Sequence, residues 1–350
     1  MSSTKPGINT RQEILSQPEV WEKNLHHLEE IDASDFPTIS NYDQVIFSGC
    51  GSTYYLSLWA ARVCEQQTGI ISRAVPSSDL FLFSDNWLHK GKKTLFVAVS
   101  RSAETSETIR ALKSFTAGRY GDSVVVTCYP DHELAQLASN VIAVPEAQEI
   151  SVAQTRSFSN MLLAIGWLIA KHVPAGFPAV FSKVGQDLID RYQQTAERLG
   201  SDHNITKFFF LGGGPLYGLA NEAMLKMKEM SLTYSESFHT LEFRHGPMAM
   251  VDKNSQIISL VNEPARDYEY AFLREMRSKG ARILAILDQD DPGAVEACDD
   301  RVIFSSGIPG LWRAPFYLPI LQLIAYERAI NKGLDPDRPT NLTSVVVLHE

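Results

Sequence analysis

One stretch of this chain occurs twice. Val45-Ile-Phe-Ser-Gly-Cys-Gly-Ser-Thr-Tyr54 lines up with Phe208-Phe-Phe-Leu-Gly-Gly-Gly-Pro-Leu-Tyr217, a shift of 163 positions (45 to 208). Thr94-Leu-Phe-Val-Ala-Val-Ser100 lines up with Gln256-Ile-Ile-Ser-Leu-Val-Asn262 at a shift of 162 (94 to 256), and Ser123–Cys128 aligns less well with Arg282–Leu287. Any two α/β domains share short apolar runs, but a near-constant spacing points to two copies of one unit. In each copy apolar runs of strand length alternate with glycine turns and helix-period stretches, which implies a parallel sheet covered on both faces. The expected fold is therefore α/β. It has two tandem units, each a flavodoxin-like five-stranded parallel sheet flanked by helices, related by a pseudo-two-fold axis.

The surrounding chain divides accordingly. Residues 1–40 form an N-terminal helical segment. In it Ile14, Leu15, Val20, Trp21, Leu25 and Leu28 are the apolar positions, and Pro18 is the place for a break. The first unit is expected over 41–175, with strands at 45–47, 70–75, 94–99, 123–128 and 141–144. Val173-Pro-Ala-Gly-Phe-Pro178 marks the boundary. The second unit is expected over 176–335, with a tail over 336–350.

The net charge of -9 argues against a nucleic-acid partner or a membrane-surface role. No apolar run reaches the length of a membrane span. Met1–Arg11 is polar and lacks a signal-peptide core. Cys50, Cys64, Cys128 and Cys298 are scattered without CxxC spacing, as in reduced cytoplasmic proteins, and no metal-ligand cluster or cofactor motif is present.

The repeat is most informative where it fails. After its third strand the first copy carries Ser100, Ser102, Thr105, Ser106 and Thr108, whereas the second carries Asn262-Glu263-Pro264. Hydroxyls at a helix start beside the strand ends of an open parallel sheet suit a phosphate, which Glu263 would repel. Capping one helix would use one or two hydroxyls, not five. The second copy has its own chemistry. Glu222, Lys226 and Glu229 share one face of a helix expected over 216–230, placing two carboxylates around an ammonium. Such a trio is either a solvated helix face or a group that holds sugar hydroxyls and moves protons. His245, before Gly246-Pro247, is either a turn residue or part of that chemistry.

Five motifs in order carry a family resemblance. They are Cys50-Gly-Ser-Thr53, Ser100-Arg-Ser-Ala-Glu-Thr105, Glu149-Ile-Ser-Val-Ala-Gln-Thr-Arg156, Glu222-Ala-Met-Leu-Lys-Met-Lys-Glu229 and Glu242-Phe-Arg-His-Gly-Pro247, with a matching tail from Ala325 to Leu342. The chain resembles the sugar isomerase (SIS) family, in particular the isomerase half of glucosamine-6-phosphate synthase and amino-sugar-phosphate deaminases. The resemblance implies a sugar phosphate bound by Cys50, Ser52, Thr53, Ser100, Ser102, Thr105, Val152 and Gln154. Arg101 stands where the family has glutamine and would add a cation. The resemblance also implies Glu229 as the proton-moving carboxylate, with Lys226 beside it. His245 would open the sugar ring from the neighbouring subunit of a homodimer, and the tail would lie over the active site. Two departures stand out. Gln154-Thr155-Arg156 replaces the family's Ser-Thr-Lys, and Ser344 falls where the synthase has its imine-forming lysine. Serine cannot form an imine. No glutaminase segment accompanies the isomerase half, so the complete synthase is not expected.

The expected function is an amino-sugar-phosphate isomerase or deaminase. An amine at C2 becomes, after isomerisation, an imine that water hydrolyses to ketose and ammonia. The alternatives are a deglycase or isomerase of another hexose phosphate, and a phosphosugar sensor without catalysis.

Overall fold

The computed structural model describes residues 5–346 and 348. They fall into two compact units. One takes in Glu19–Glu149, Arg156–Ser182 and the tail from Thr343; the other takes in the chain up to Pro18, Ile150–Thr155 and Lys183–Leu342.

The first of these units holds β1 (Gln44–Gly49), β2 (Ser72–Pro76), β3 (Thr94–Val99), β4 (Gly121–Thr127) and β5 (Asn140–Ala143) in the order β2-β1-β3-β4-β5. All four pairings are parallel; Val45, for instance, lies between Ser72 and Leu95. The central strands β1 and β3 are buried along their whole length, which explains their unbroken Val, Ile and Phe content. On one face α5 (Ser106–Gly118) lays Ile109, Leu112 and Phe115 against Ile46, Phe96 and Val125, with the Phe96 and Phe115 rings 5.1 Å apart. Helices α3 (Ser52–Thr68) and α7 (Arg156–Ala170) pack on each other. Trp21 donates its indole N–H to Ser159 Oγ at 2.8 Å, fastening α2 (Gln17–Glu30) to α7.

The other unit holds β6 (Lys207–Gly212), β7 (Ser235–Phe238), β8 (Ser255–Leu260), β9 (Arg282–Leu287) and β10 (Asp300–Ile303), ordered β10-β9-β8-β6-β7, again all parallel. Read from β7, this is the first sheet's order. Phe209, Ile257 and Ile283 of the sheet pack with Phe272, Leu273 and Met276 of α10 (Arg266–Ser278). Helices α9 (Leu216–Ser231) and α12 (Leu318–Asn331) pack together.

The expected strands appear within a few residues. The edge strands β7 and β10 were not legible as strands, because Ser235-Glu236-Ser237-Phe238 and Asp300-Arg301-Val302-Ile303 are too polar and short to show a period. The N-terminal helical segment breaks at Ser16, between α1 (Ile8–Leu15) and α2. Pro18 sits inside the first turn of α2, where a missing N–H breaks no helical bond.

In both sheets the chain leaves its first strand, β1 or β6, in one direction and returns on that strand's other side. The reversal falls at the carboxyl ends of β1 and β3 in one sheet and of β6 and β8 in the other. Open α/β sheets hold their ligands at such reversals.

Candidate functional site

The β1–β3 crevice is built from two turns. After β1, Gly51 takes a positive φ (55°, with ψ -123°) that glycine alone adopts freely, and opens α3. The Cβ of any larger residue at Gly49 would stand 2.5 Å from Thr53 Oγ1, so the turn closes tightly on the helix. Thr53 Oγ1 accepts the Cys50 amide at 2.9 Å and donates to the Cys50 carbonyl at 3.0 Å. After β3, Ser100 Oγ accepts the Ala103 amide at 3.1 Å and Ser102 Oγ accepts the Glu104 amide at 3.2 Å. Ser100 and Ser102 are both buried, and Ala103 is left-handed at φ 54°. A serine that accepts from an amide still has its own O–H to donate. Thr105 stands at the start of α5 without capping it through its side chain. The two turns meet where Cys50 Sγ lies 3.7 Å from Thr108 Oγ1, which in turn lies 3.1 Å from Ser77 Oγ. Burial pushes the Cys50 thiol up from its ordinary value, so it stays protonated at neutral pH. This is a crevice of hydroxyls and helix-start amides, suited to an anion without a basic field.

Arg101 is 7% exposed. Its Nη1 lies 3.4 Å from Glu149 Oε2, and its Nη2 donates to the Ser344 carbonyl at 3.3 Å. Glu149, fully buried, also accepts from the Ser157 amide at 3.2 Å and from the Ser157 hydroxyl. Glu149 opens one of the quoted motifs but was not singled out as a site residue; its partner lies 48 positions away, beyond any local pattern.

In the other unit α9 carries the trio. Lys226 is 1% exposed and Glu222 is fully buried, with Nζ 3.3 Å from Glu222 Oε1 and ion-paired with Glu229 Oε2. The solvated-face reading therefore fails: two of the three groups are core residues. Burial works against the Lys226 charge, but Glu222 and Glu229 outweigh it and hold the ammonium above its ordinary pKa. Lys226 stays charged and offers no free amine. Glu229 is the member that reaches solvent, its side chain 19% exposed. His245 follows the short turn Glu242–Arg244 and is itself exposed. Its amide donates to the Glu242 carbonyl at 2.9 Å, and among the described residues its ring has no hydrogen-bond partner. Val152 and Gln154 belong to this unit: the Val152 amide donates to the Asp337 carbonyl at 3.3 Å, and Gln154 Oε1 is buried without a partner among the described residues.

The β6–β8 crevice differs from its counterpart. The side chain of Asn262 donates to the Gly213 carbonyl at 3.1 Å, and its amide donates to Glu269 Oε2 at 2.9 Å. Burial pushes the Glu269 carboxyl up to about 7. The sequence reading assigned the repelling carboxylate to Glu263, but that residue is exposed and pairs with Arg313. Glu269, seven residues beyond Asn262, fills the crevice. A buried carboxylate in the first turn of an amphipathic helix carries no local signal that separates it from the exposed Asp267 in the same turn.

Among the described residues there is no cluster of His, Cys, Asp or Glu fit to hold a metal, and no helix long and apolar enough to cross a membrane.

Comparison with known proteins gives a consistent picture. A family model described as SIS domain matches residues 38–171 and 203–332. A glutamine–fructose-6-phosphate aminotransferase (isomerizing) of Methanothermobacter thermautotrophicus is 26% identical over 340 residues, covering 94% of this chain and 54% of the relative. The chain thus spans about half the length of the curated relatives it matches. Among solved structures, a glucosamine-6-phosphate deaminase of Thermotoga maritima superposes with a TM-score of 0.78 at 26% identity, covering 97% of this chain and 100% of the other. A tagatose-6-phosphate ketose/aldose isomerase of Escherichia coli superposes with a TM-score of 0.85 at 22% identity, covering 99% of each.

Proposed function

The chain belongs to the SIS domain family, and from that premise we propose that it is a phosphosugar isomerase acting as an amino-sugar-phosphate deaminase, with glucosamine 6-phosphate the type of substrate. The observation that carries this reading is the buried Glu222–Lys226–Glu229 trio. A binding module needs the hydroxyl crevice but has no use for two carboxylates and an ammonium taken out of water, each at a desolvation cost of several kcal/mol. Glu229, partly exposed, is the base that takes the proton from C2 and returns it to C1. Lys226 fixes its position and holds a positive charge beside the developing oxyanion or enolamine. Ser100, Ser102 and Thr105 hold the phosphate and supply positioning.

Deamination suits the groups present. Ser344 has no amine and Lys226 is kept protonated, so neither position offers a free amine for an imine with the ketose. An amino sugar needs none: moving the proton from C2 to C1 converts the C2 amine into an imine, and water releases ketose and ammonia. The Thermotoga maritima deaminase, matched over its whole length, supports the same reading. His245, exposed and without a ring partner among the described residues, fits a ring-opening group that serves the neighbouring subunit of a homodimer.

The test is incubation with a panel of hexosamine and hexose 6-phosphates, reading ammonia, ketose and C2 exchange with deuterium. Ammonia with ketose from a hexosamine phosphate supports the deaminase. Ketose without ammonia from a hexose phosphate makes it an aldose–ketose isomerase. Binding without exchange or turnover makes it a sensor.

A further inference from the structure

We propose that Arg101 is the latch of the C-terminal strap: it acts on bound phosphosugar by fixing Ser344–Val346 against the hydroxyl loop, and not by placing its charge on the phosphate. Only the kinetic consequence rests on the phosphosugar reading; the latch itself does not.

Three observations meet here. The first is the state of the guanidinium. A phosphate-binding arginine aims its fork at open space, but Arg101 is 7% exposed and one arm is spent on Glu149. Glu149 is fixed in turn by Ser157, and the Arg101 carbonyl accepts from Thr127 Oγ1 at 3.0 Å and the Cys128 amide at 3.2 Å. Backbone and side chain are both immobilised, with the charge largely answered. The second is where the other arm goes: Nη2 meets the Ser344 carbonyl, a main-chain atom of the tail. The third is that the tail then docks on the start of α5. Val346 O accepts the Ser106 amide at 3.4 Å, and the Leu348 amide donates to Ser106 Oγ at 3.2 Å. Ser106 belongs to the same loop as Ser102 and Thr105. Val346 and Leu348 are 52% and 37% exposed, so among the described residues hydrogen bonds do much of the work of placing the strap. A carbonyl contact also leaves the identity of the side chain at 344 unconstrained.

Three chains test the latch: wild type, Arg101→Gln, and a chain ending at Thr343. Hydrogen exchange of the Leu348 amide is measured without substrate, and should quicken at least tenfold in Arg101→Gln. Affinity for inorganic phosphate is measured in all three and in the combined variant. The two changes should be non-additive, Arg101→Gln having no further effect once the strap is gone. With a sugar phosphate that turns over, both changes should raise KM together. Should Arg101→Gln fold poorly because Glu149 is left charged and buried, Arg101→Gln with Glu149→Gln keeps a neutral hydrogen-bonded pair and still lacks the fork. Unaltered exchange in a folded Arg101 variant overturns the latch. Loss of phosphate affinity of equal size with and without the strap also overturns it, making Arg101 a direct ligand. A protein that turns over no sugar phosphate yet shows the exchange effect loses the proposed function and keeps the latch.

Discussion

The two crevices of this protein share a backbone and differ in what fills them. Gly51 and Gly214, 163 positions apart, have φ of 55° and 53°, and both open a helix after the first strand of their sheet. After the third strand the likeness ends. The first crevice folds Ser100-Arg-Ser-Ala-Glu-Thr105 into a loop with left-handed Ala103 and hydroxyls facing in. The second has Pro264, which cannot donate an amide, and Ala265 at φ -111°. Glu107 and Glu269 fall at the same place in the repeat. Yet only Glu269 takes its neighbour's amide as its own ligand, at Asn262. One crevice is lined by hydroxyls and helix-start amides; the other holds a carboxylate of its own. In the function proposed above, the duplicated fold separates its tasks, one copy binding and the other supplying, on α9, the groups for proton transfer.

The largest effect that sharpens this division is expected at Glu229. Glu229→Gln keeps shape and hydrogen bonding but removes the base. Turnover should fall by about 10²–10⁴, with sugar-phosphate affinity by calorimetry changed by no more than roughly tenfold. If the variant exchanges the C2 hydrogen as fast as wild type, the second copy does not supply the base. Next is the clamp. Ser102→Ala with Thr105→Ala removes two hydrogen bonds to a dianion, at roughly 1.5–3 kcal/mol each. KM should rise at least tenfold with kcat little changed, whereas Asn262→Ala in the other crevice should leave KM within about twofold. Equal effects in the two crevices would erase the contrast.

A third prediction concerns pH. Below pH 4.5 the Glu269 carboxyl is protonated both folded and unfolded; between 4.5 and about 7 the folded chain holds a proton the unfolded chain has released. Stability therefore falls as pH rises through that window, by about 3 kcal/mol at about 1.4 kcal/mol per unit. Glu269→Gln should abolish this loss, stabilising the fold at pH 8 and not at pH 4 in urea titrations. An unchanged pH profile would mean that the carboxylate does not fill the second crevice as described. The smallest effect is conformational. Gly51→Ala and Gly214→Ala should each cost about 1–3 kcal/mol, since both put a side chain at a positive φ that glycine alone enters freely. A much larger cost at one would show that the two turns are less alike than their angles.

The duplicated strands were legible because burial on both faces leaves nothing but Val, Ile, Leu and Phe for several residues. The runs at 94–99 and 282–287 match β3 and β9 residue for residue. Edge strands lack that signature. At the candidate site, spacing placed Glu222, Lys226 and Glu229 on one face of α9 but could not say whether that face met water. Burial is decided by what packs against the helix, as α12 does here, about a hundred residues later in the chain. Arg101 was legible as a cation and not as a latch, because Glu149 and Ser344 are distant in sequence.

Asp337 has a bearing on the order in which this molecule takes shape. Its carboxylate accepts the Thr10 amide and hydroxyl, each at 2.7 Å, and the Asn9 amide at 3.1 Å, while Asp335 accepts the Gly7 amide at 2.9 Å. Thr10 Oγ1 also lies 2.9 Å from Ser151 Oγ. Helix α1 is thus made well before the groups that fix its start, which lie 328 residues further along the chain for Gly7 and 327 for Thr10. The residues of the β1–β5 sheet are made in between and can assemble as they emerge, but α1 must wait, exposed, until Asp335 and Asp337 follow. Its weak amphipathic character is what such a wait favours: a segment with little apolar surface to offer does not stick to the wrong neighbour in the meantime.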